Sequence, residues 1–151
     1  MAKPVCCDPP NEEFEMSIEA NKALVRTFYE AIDRADFAAL DDLCHKDFVF
    51  YSQVDTPKPG VMGFVNSEKA AFDAFESVRF PLEQMVAEGD KVGAYLLFLG
   101  KNQIRNLGDL KPRGKDLRIS LFCLLTIKDG KIIEKRAHFD NADARAQLTA
   151  P

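Results

Sequence analysis

The chain has no tryptophan and only two histidines, His45 and His138. A zinc centre needs about four nitrogen or sulfur ligands at close spacing, and two isolated histidines with scattered cysteines do not supply them. The four cysteines, Cys6, Cys7, Cys44 and Cys123, show neither metal-ligand spacing nor the density of a disulfide scaffold. They are expected to be reduced thiols of a cytoplasmic protein, with Cys44 and Cys123 buried as small hydrophobes. No apolar run approaches the roughly 20 residues needed to span a bilayer. The first ten residues are polar and turn-rich, unlike a secretory signal. Excess positive charge is also missing: the net charge is -4. Phosphate recognition requires concentrated cations, and the one basic cluster, Lys111 to Lys115, is short, so nucleic acid is excluded as a partner and the cluster is expected to be a solvated loop.

What the chain does have is apolar bulk. It is 151 residues long and 46% hydrophobic, with twelve phenylalanines, enough for one domain with a core lined by phenyl rings. Residues 1–16 are expected to form a flexible tail, followed by a single domain over residues 17–151. Val25, Phe28, Tyr29 and Ile32 have helical spacing, which predicts a helix from near Ser17, its cap, to Asp33. A second short helix is expected from Asp36 to Cys44, a strand over residues 47–52, and a third helix capped by Asn66 or Ser67 and running to about Ser77. The period then becomes strand-like. Strands are predicted over residues 78–86, with Pro81 marking an edge or bulge, then 91–100, 117–127 and 131–140. The Asp129-Gly130 pair between the last two is a strong hairpin signal. Helices first and turn-linked strands afterwards predict an α+β fold, with helices packed on a strongly curved, mostly antiparallel sheet that encloses a pocket.

The last strand draws attention. Alternation puts Arg136, His138 and Asp140 on one face and Lys135, Ala137 and Phe139 on the other. The first set combines a cation, an imidazole and a carboxylate, with His138 and Asp140 roughly 6–7 Å apart at Cβ. Asp140 has two readings: a cap for the C-terminal helix, or an acid/base whose pKa is raised in an apolar pocket.

Several segments together are similar to the SnoaL-like polyketide cyclase family of the NTF2-like superfamily, over roughly Asn21 to Leu148. They are the run Asn21 to Glu30, Asp36 to Leu40, Asp47 to Val49, Ala87 to Val92, Leu107-Gly108, Lys128 to Glu134, Phe139-Asp140 and Gln147-Leu148. The resemblance implies a cone-shaped pocket for a small hydrophobic molecule and, often, a homodimer formed through the sheet. It also implies aldol-type ring closure without a metal or organic cofactor, with the residue matching Asp140 as general acid/base. Relatives often carry histidines where this chain has Tyr51, Asn102 and Lys135, and a tryptophan where it has Arg136. His138 is thus the one imidazole expected beside Asp140. Tyr51 and Asn102 are candidate substrate hydrogen-bonders, Arg136 a partner for an anionic group, Tyr29 a core residue with its hydroxyl at the pocket edge, and Phe122 part of the lining. Two functions remain open: an enzyme of cyclase or isomerase type acting on a small apolar carbonyl compound, or a non-catalytic module that binds a hydrophobic ligand or a protein partner.

Overall fold

The computed structural model describes the backbone of residues 12–151 and the side chains of residues 17–151. Helix α1 spans Glu12–Asp33. Its stripe of Val25, Phe28, Tyr29 and Ile32 is fully buried. The helix starts five residues before Ser17, which therefore lies within it and not at its cap. Of the expected tail, residues 1–11 lie outside the described residues, as do Cys6 and Cys7, and residues 12–16 are helical.

Asp36 accepts a hydrogen bond from the Ala39 amide at 3.4 Å and caps a 3-10 turn, Phe37–Ala39. The turn runs into α2, Leu40–Leu43. Cys44, expected at the helix end, instead begins strand β1, Cys44–Tyr51. After the short β2, Pro57–Pro59, helix α3 covers Gly60–Asp73. It begins six residues before Asn66, so Asn66 and Ser67 lie inside it. The single strand expected over residues 78–86 is two, β3 (Phe75–Arg79) and β4 (Leu82–Glu88). They separate at Phe80-Pro81, where proline has no N–H to donate to a ladder. The remaining elements are β5 (Lys91–Gln103), β6 (Leu117–Lys128), β7 (Lys131–Phe139) and α4 (Asn141–Thr149). No described helix is long and apolar enough to cross a membrane.

The seven strands form one sheet in the order β2-β1-β7-β6-β5-β3, with β4 also pairing with β5. All pairs are antiparallel except β1 with β7, so the sheet is mixed. Helix α1 packs on β4, β5 and β7, α3 on β1 and β3, and α4 on β6. This is the expected α+β architecture, an open sheet with helices over one face. Along β6, burial alternates strictly: Leu117, Ile119, Leu121, Cys123, Leu125 and Ile127 point to the helices, and the residues between them point away. In β7 the register slips opposite Thr126 and Ile127, so that Ile133 is the unpaired residue of a bulge. Ile132 before the bulge and Lys135 and Ala137 after it are all buried.

Phenyl rings fill the space between helices and sheet. Phe64 of α3 meets Phe28, Phe48 and Phe50 at centroid distances of 5.6, 6.2 and 5.0 Å. Phe80 bridges Tyr29 and Phe98 at 6.3 and 5.8 Å. Such contacts add to the stabilisation from area burial alone.

Candidate functional site

Between the sheet and helices α3 and α4 lies a cavity of about 560 Å³, a volume suited to a small organic ligand. The sheet contributes Phe50, Phe98, Ile119, Leu121 and Phe139 to its wall; α3 contributes Ser67, Glu68 and Ala71, and α4 contributes Ala144 and Arg145. Leu107 and Leu110, from the segment between β5 and β6, close another side. Gln103, itself buried, pins that segment through its side-chain amide, which donates to the Arg105 and Leu110 carbonyls at 3.1 Å each.

Few polar groups interrupt this apolar wall. Glu68 projects from α3, and burial pushes its carboxyl above the ordinary range, while the Lys135 and Lys58 cations pull it back down. Desolvation disfavours the charged form and nearby cations favour it. Among the described residues Glu68 has no ion-pair partner. Lys58 donates to the Ser67 hydroxyl, and both line the cavity. Lys135 is only 1% exposed, with its ammonium 4.6 Å from the Phe50 ring centre and 4.5 Å from that of Phe64. Two aromatic faces partly replace the water it has lost. Near the same end, the Tyr29 hydroxyl is buried without a hydrogen-bond partner among the described residues. Burial, reinforced by the Cys123 thiol and the Glu68 carboxylate, raises its pKa. At another part of the wall Arg145 and Asp109 form an exposed ion pair at 2.9 Å.

The residues singled out from sequence are distributed differently. Asp140 is the N-cap of α4: its Oδ1 accepts the Ala142 and Asp143 amides at 2.9 and 3.0 Å. It is exposed, and the cavity wall takes its neighbours Phe139 and Asn141 instead. Arg136 and His138 do share a face, but it is the outer one. His138 lies exposed opposite Phe122, which is 47% exposed and thus not part of the lining. Arg136 pairs with Glu134 at 2.8 Å and stacks 3.9 Å above the Tyr51 ring, also on the outer side. Asn102 has a positive φ of 50° and donates to Glu76 at 2.8 Å, away from the cavity. Tyr29 is core. Sequence reasoning missed Glu68, Lys58 and Ser67. The available signal was Glu68 itself, a charged residue four positions from both Phe64 and Phe72 on an otherwise apolar stripe.

Among the described residues no group of three or more His, Cys, Asp or Glu is placed to hold a metal ion. Cys44 and Cys123 are free and buried, and burial pushes the Cys44 thiol up to about 12.

Comparison with known proteins gives a consistent result. The sequence profile of the family described as SnoaL-like polyketide cyclase matches residues 22–148. No curated protein matches the sequence. Among solved structures, a protein from Jannaschia sp. CCS1 described as a SnoaL-like polyketide cyclase superposes with a TM-score of 0.80 at 18% identity, covering 89% of this chain and 94% of its own. TsrD from Streptomyces laurentii gives 0.77 at 22%, covering 88% and 97%. IdmH from Streptomyces antibioticus, described as a polyketide cyclase, gives 0.73 at 21%, covering 85% and 97%. At these identities the likeness is one of fold.

Proposed function

The chain belongs to the SnoaL-like polyketide cyclase family, and on that premise we propose that it performs cyclase or isomerase chemistry on a small apolar carbonyl compound held in the cavity, with Glu68 as the proton-transferring group. The observation that carries this reading is the Glu68 carboxyl, which lines an apolar cavity and has no ion-pair partner among the described residues, with its proton affinity raised by burial. A general base works best with a pKa near the operating pH. Asp140, the residue matched by resemblance, has its carboxylate engaged by two helix amides; in this reading the proton-transfer role passes to Glu68.

The step is simple in outline. The Glu68 carboxylate takes a proton from the carbon alpha to a carbonyl. The C–H electron pair forms a C=C bond and the carbonyl π pair moves to oxygen. The oxygen pair then re-forms the C=O bond, and the carbon either attacks a second carbonyl of the same molecule, whose π pair moves to its oxygen and takes the proton back from the Glu68 acid as the ring closes, or is reprotonated elsewhere by the Glu68 acid. A positioned base contributes roughly 10²–10⁴-fold. The reading calls on no cofactor. It includes a cytoplasmic setting, from the free thiols, and a homodimer, from the exposed Tyr95, Phe122 and Leu124 of the outer sheet face.

The test is alpha-proton exchange into deuterated water, followed by NMR on a panel of aryl ketones and diketones. Acceleration by the wild type should fall about 10²–10⁴-fold in Glu68→Gln and persist in Asp140→Asn. The reverse order of the two variants returns the role to Asp140. No acceleration of any compound supports the second reading, a non-catalytic ligand-binding module, which the capping bonds of Asp140 favour.

A further inference from the structure

Helix α4 is a lightly anchored wall of the cavity. Of its nine residues only Ala144 and Leu148 are buried. Its polar ties are side-chain contacts at the surface, most of them to the segment between β5 and β6. Arg145 bonds both carboxylate oxygens of Asp109 at 2.9 Å, from side chains that are 55% and 74% exposed. Arg113 donates to the Thr149 carbonyl at 3.0 Å, and Lys115 to that of Pro151 at 3.1 Å. Two members of the basic cluster expected to be a solvated loop thus hold carbonyls at the C-terminal end of the helix, where none has a partner within it. Gln147 and the Arg118 backbone exchange two further hydrogen bonds, at 3.0 and 2.9 Å.

The facing segment is held in the opposite way. Ile104 and Arg105 donate their amides to the Ala74 carbonyl at 2.8 and 3.2 Å, and the backbones of Leu107 and Leu110 bond each other twice, at 3.0 Å. The Gln103 backbone donates to Lys115 at 2.9 Å and accepts from Gly114 at 3.2 Å, while its buried side-chain amide holds the Arg105 and Leu110 carbonyls. Backbone bonds and a buried amide therefore fix this segment. Exposed ion pairs contribute little by comparison, and an element with few buried apolar side chains opens at low cost. Leu107, Asp109 and Leu110 line the cavity on one side of the seam between the two, and Asn141, Ala144 and Arg145 on the other. Displacing α4 opens the cavity along that seam.

We propose that α4 is a lid over the cavity, hinged at Asp140 and latched by the Asp109–Arg145 ion pair, and that the ligand enters and leaves through the seam it opens. This rests on the reading that the cavity takes a small ligand, and it adds the route by which that ligand passes. Hinges are commonly residues at the end of an element that absorb a backbone rotation. Asp140 is the single residue between β7 and α4, and its bonds to the Ala142 and Asp143 amides keep the first turn intact as the helix swings. Opening precedes entry and exit alike, so a weaker latch speeds both and leaves their ratio nearly unchanged.

Prodan, a fluorescent aryl ketone whose emission moves to the blue in apolar surroundings, is the probe, mixed with the full chain by stopped flow. Asp109→Arg sets a like charge against Arg145 and should raise the association and dissociation rates together, at least about twofold for an exposed pair. The charge-swapped variant, Asp109→Arg with Arg145→Asp, should return both rates toward the wild type, as a double-mutant cycle requires of a true pair. Amide exchange needs no ligand: Ala144 to Leu148 should exchange faster in Asp109→Arg and slow again in the swap, while the β5 amides keep their wild-type rates. Unchanged rates in Asp109→Arg, or rates that the swap does not restore, overturn the lid and leave the role of Glu68 standing. A rise in dissociation alone does so too, because it assigns the pair to ligand contact. Failure of the wild type to bind the ketone counts against the functional reading. The lid is then decided by exchange, with faster exchange in α4 supporting it and unchanged exchange overturning it.

Discussion

The ammonium of Lys135 stands 4.6 Å from the centre of the Phe50 ring, inside the protein, on the face of β7 that also carries Ala137 and Phe139. A lysine is seldom this deeply buried. Its surroundings offer ring faces and the field of Glu68 in place of a carboxylate at contact distance, an arrangement that gives up stability for an electrostatic effect on the neighbouring acid.

Lys135→Met separates those two effects. The apolar side chain removes a desolvated charge of similar length, so the melting temperature at neutral pH should equal or exceed that of the wild type. Lys135 is the stronger of the two cations that hold the Glu68 pKa down. Its loss should therefore move the acidic limb of the proton-exchange rate upward in pH. A lowered melting temperature together with an unmoved limb would assign Lys135 to packing alone.

Asp140→Ala removes the N-cap of α4 and leaves two amides without their acceptor. The cost expected for such a cap is about 1 kcal/mol, or roughly 2–4 °C in melting temperature for a domain of this size. Helix α4 contributes Ala144 and Arg145 to the cavity wall, so amide exchange should quicken there first. Unchanged exchange in α4 would show that the capping bonds contribute nothing to its stability.

Much of this fold could be read from periodicity, and the errors have local physical causes. The alternation of β6 was legible: Arg118, Ser120 and Lys128 share one parity, and Phe122 and Leu124 share it with them, so the expected place of Phe122 in the lining ran against the strand's own pattern. In β7 the alternation itself was right, since Arg136 and His138 do share a face. Which face it is depends on the bulge at Ile133, which moves Lys135 rather than Glu134 or Arg136 onto the inner side. A one-residue register change of this kind reverses every following side chain. Glu68 went unremarked for a different reason. With α3 expected to begin near Ser67 and not at Gly60, Glu68 falls in the first turn of the expected helix, where no apolar stripe precedes it. Its position between Phe64 and Phe72 on the inward stripe became apparent only with the full length of the helix.

Gly100 is a packing position. A Cβ built there would lie 2.7 Å from the Phe75 ring, and that ring is held from behind by Phe98, 5.6 Å between centroids. At that distance the Phe75 ring must shift to admit the new carbon, within a densely packed core. Gly100→Ala should cost about 1–3 kcal/mol through overpacking, lowering the denaturation midpoint while the denaturant m-value stays constant. A midpoint equal to that of the wild type would mean that Phe75 moves aside freely.

Two carboxyl groups should act on stability with opposite signs as pH changes. Burial raises the Glu68 pKa in the folded chain, so its favourable contribution is complete below the unfolded value of about 4.3 and is lost as pH rises through the folded pKa. Glu68→Gln should therefore be more stable than the wild type at pH 7, and the gain should vanish in acid. Asp33 is the reverse case. Its carboxylate bonds Arg79 at 2.8 Å and also accepts the Phe80 amide, and the Arg79 bond is the main cause that lowers its pKa. Its contribution is present above the unfolded value and lost as pH falls through the folded pKa. Asp33→Asn should be less stable than the wild type at pH 7, with the gap narrowing below about pH 4. Thermal melts of the three proteins from pH 7 to pH 3 measure both effects. A Glu68→Gln variant less stable than the wild type at pH 7 would contradict the raised proton affinity on which its assignment as the cavity's base depends.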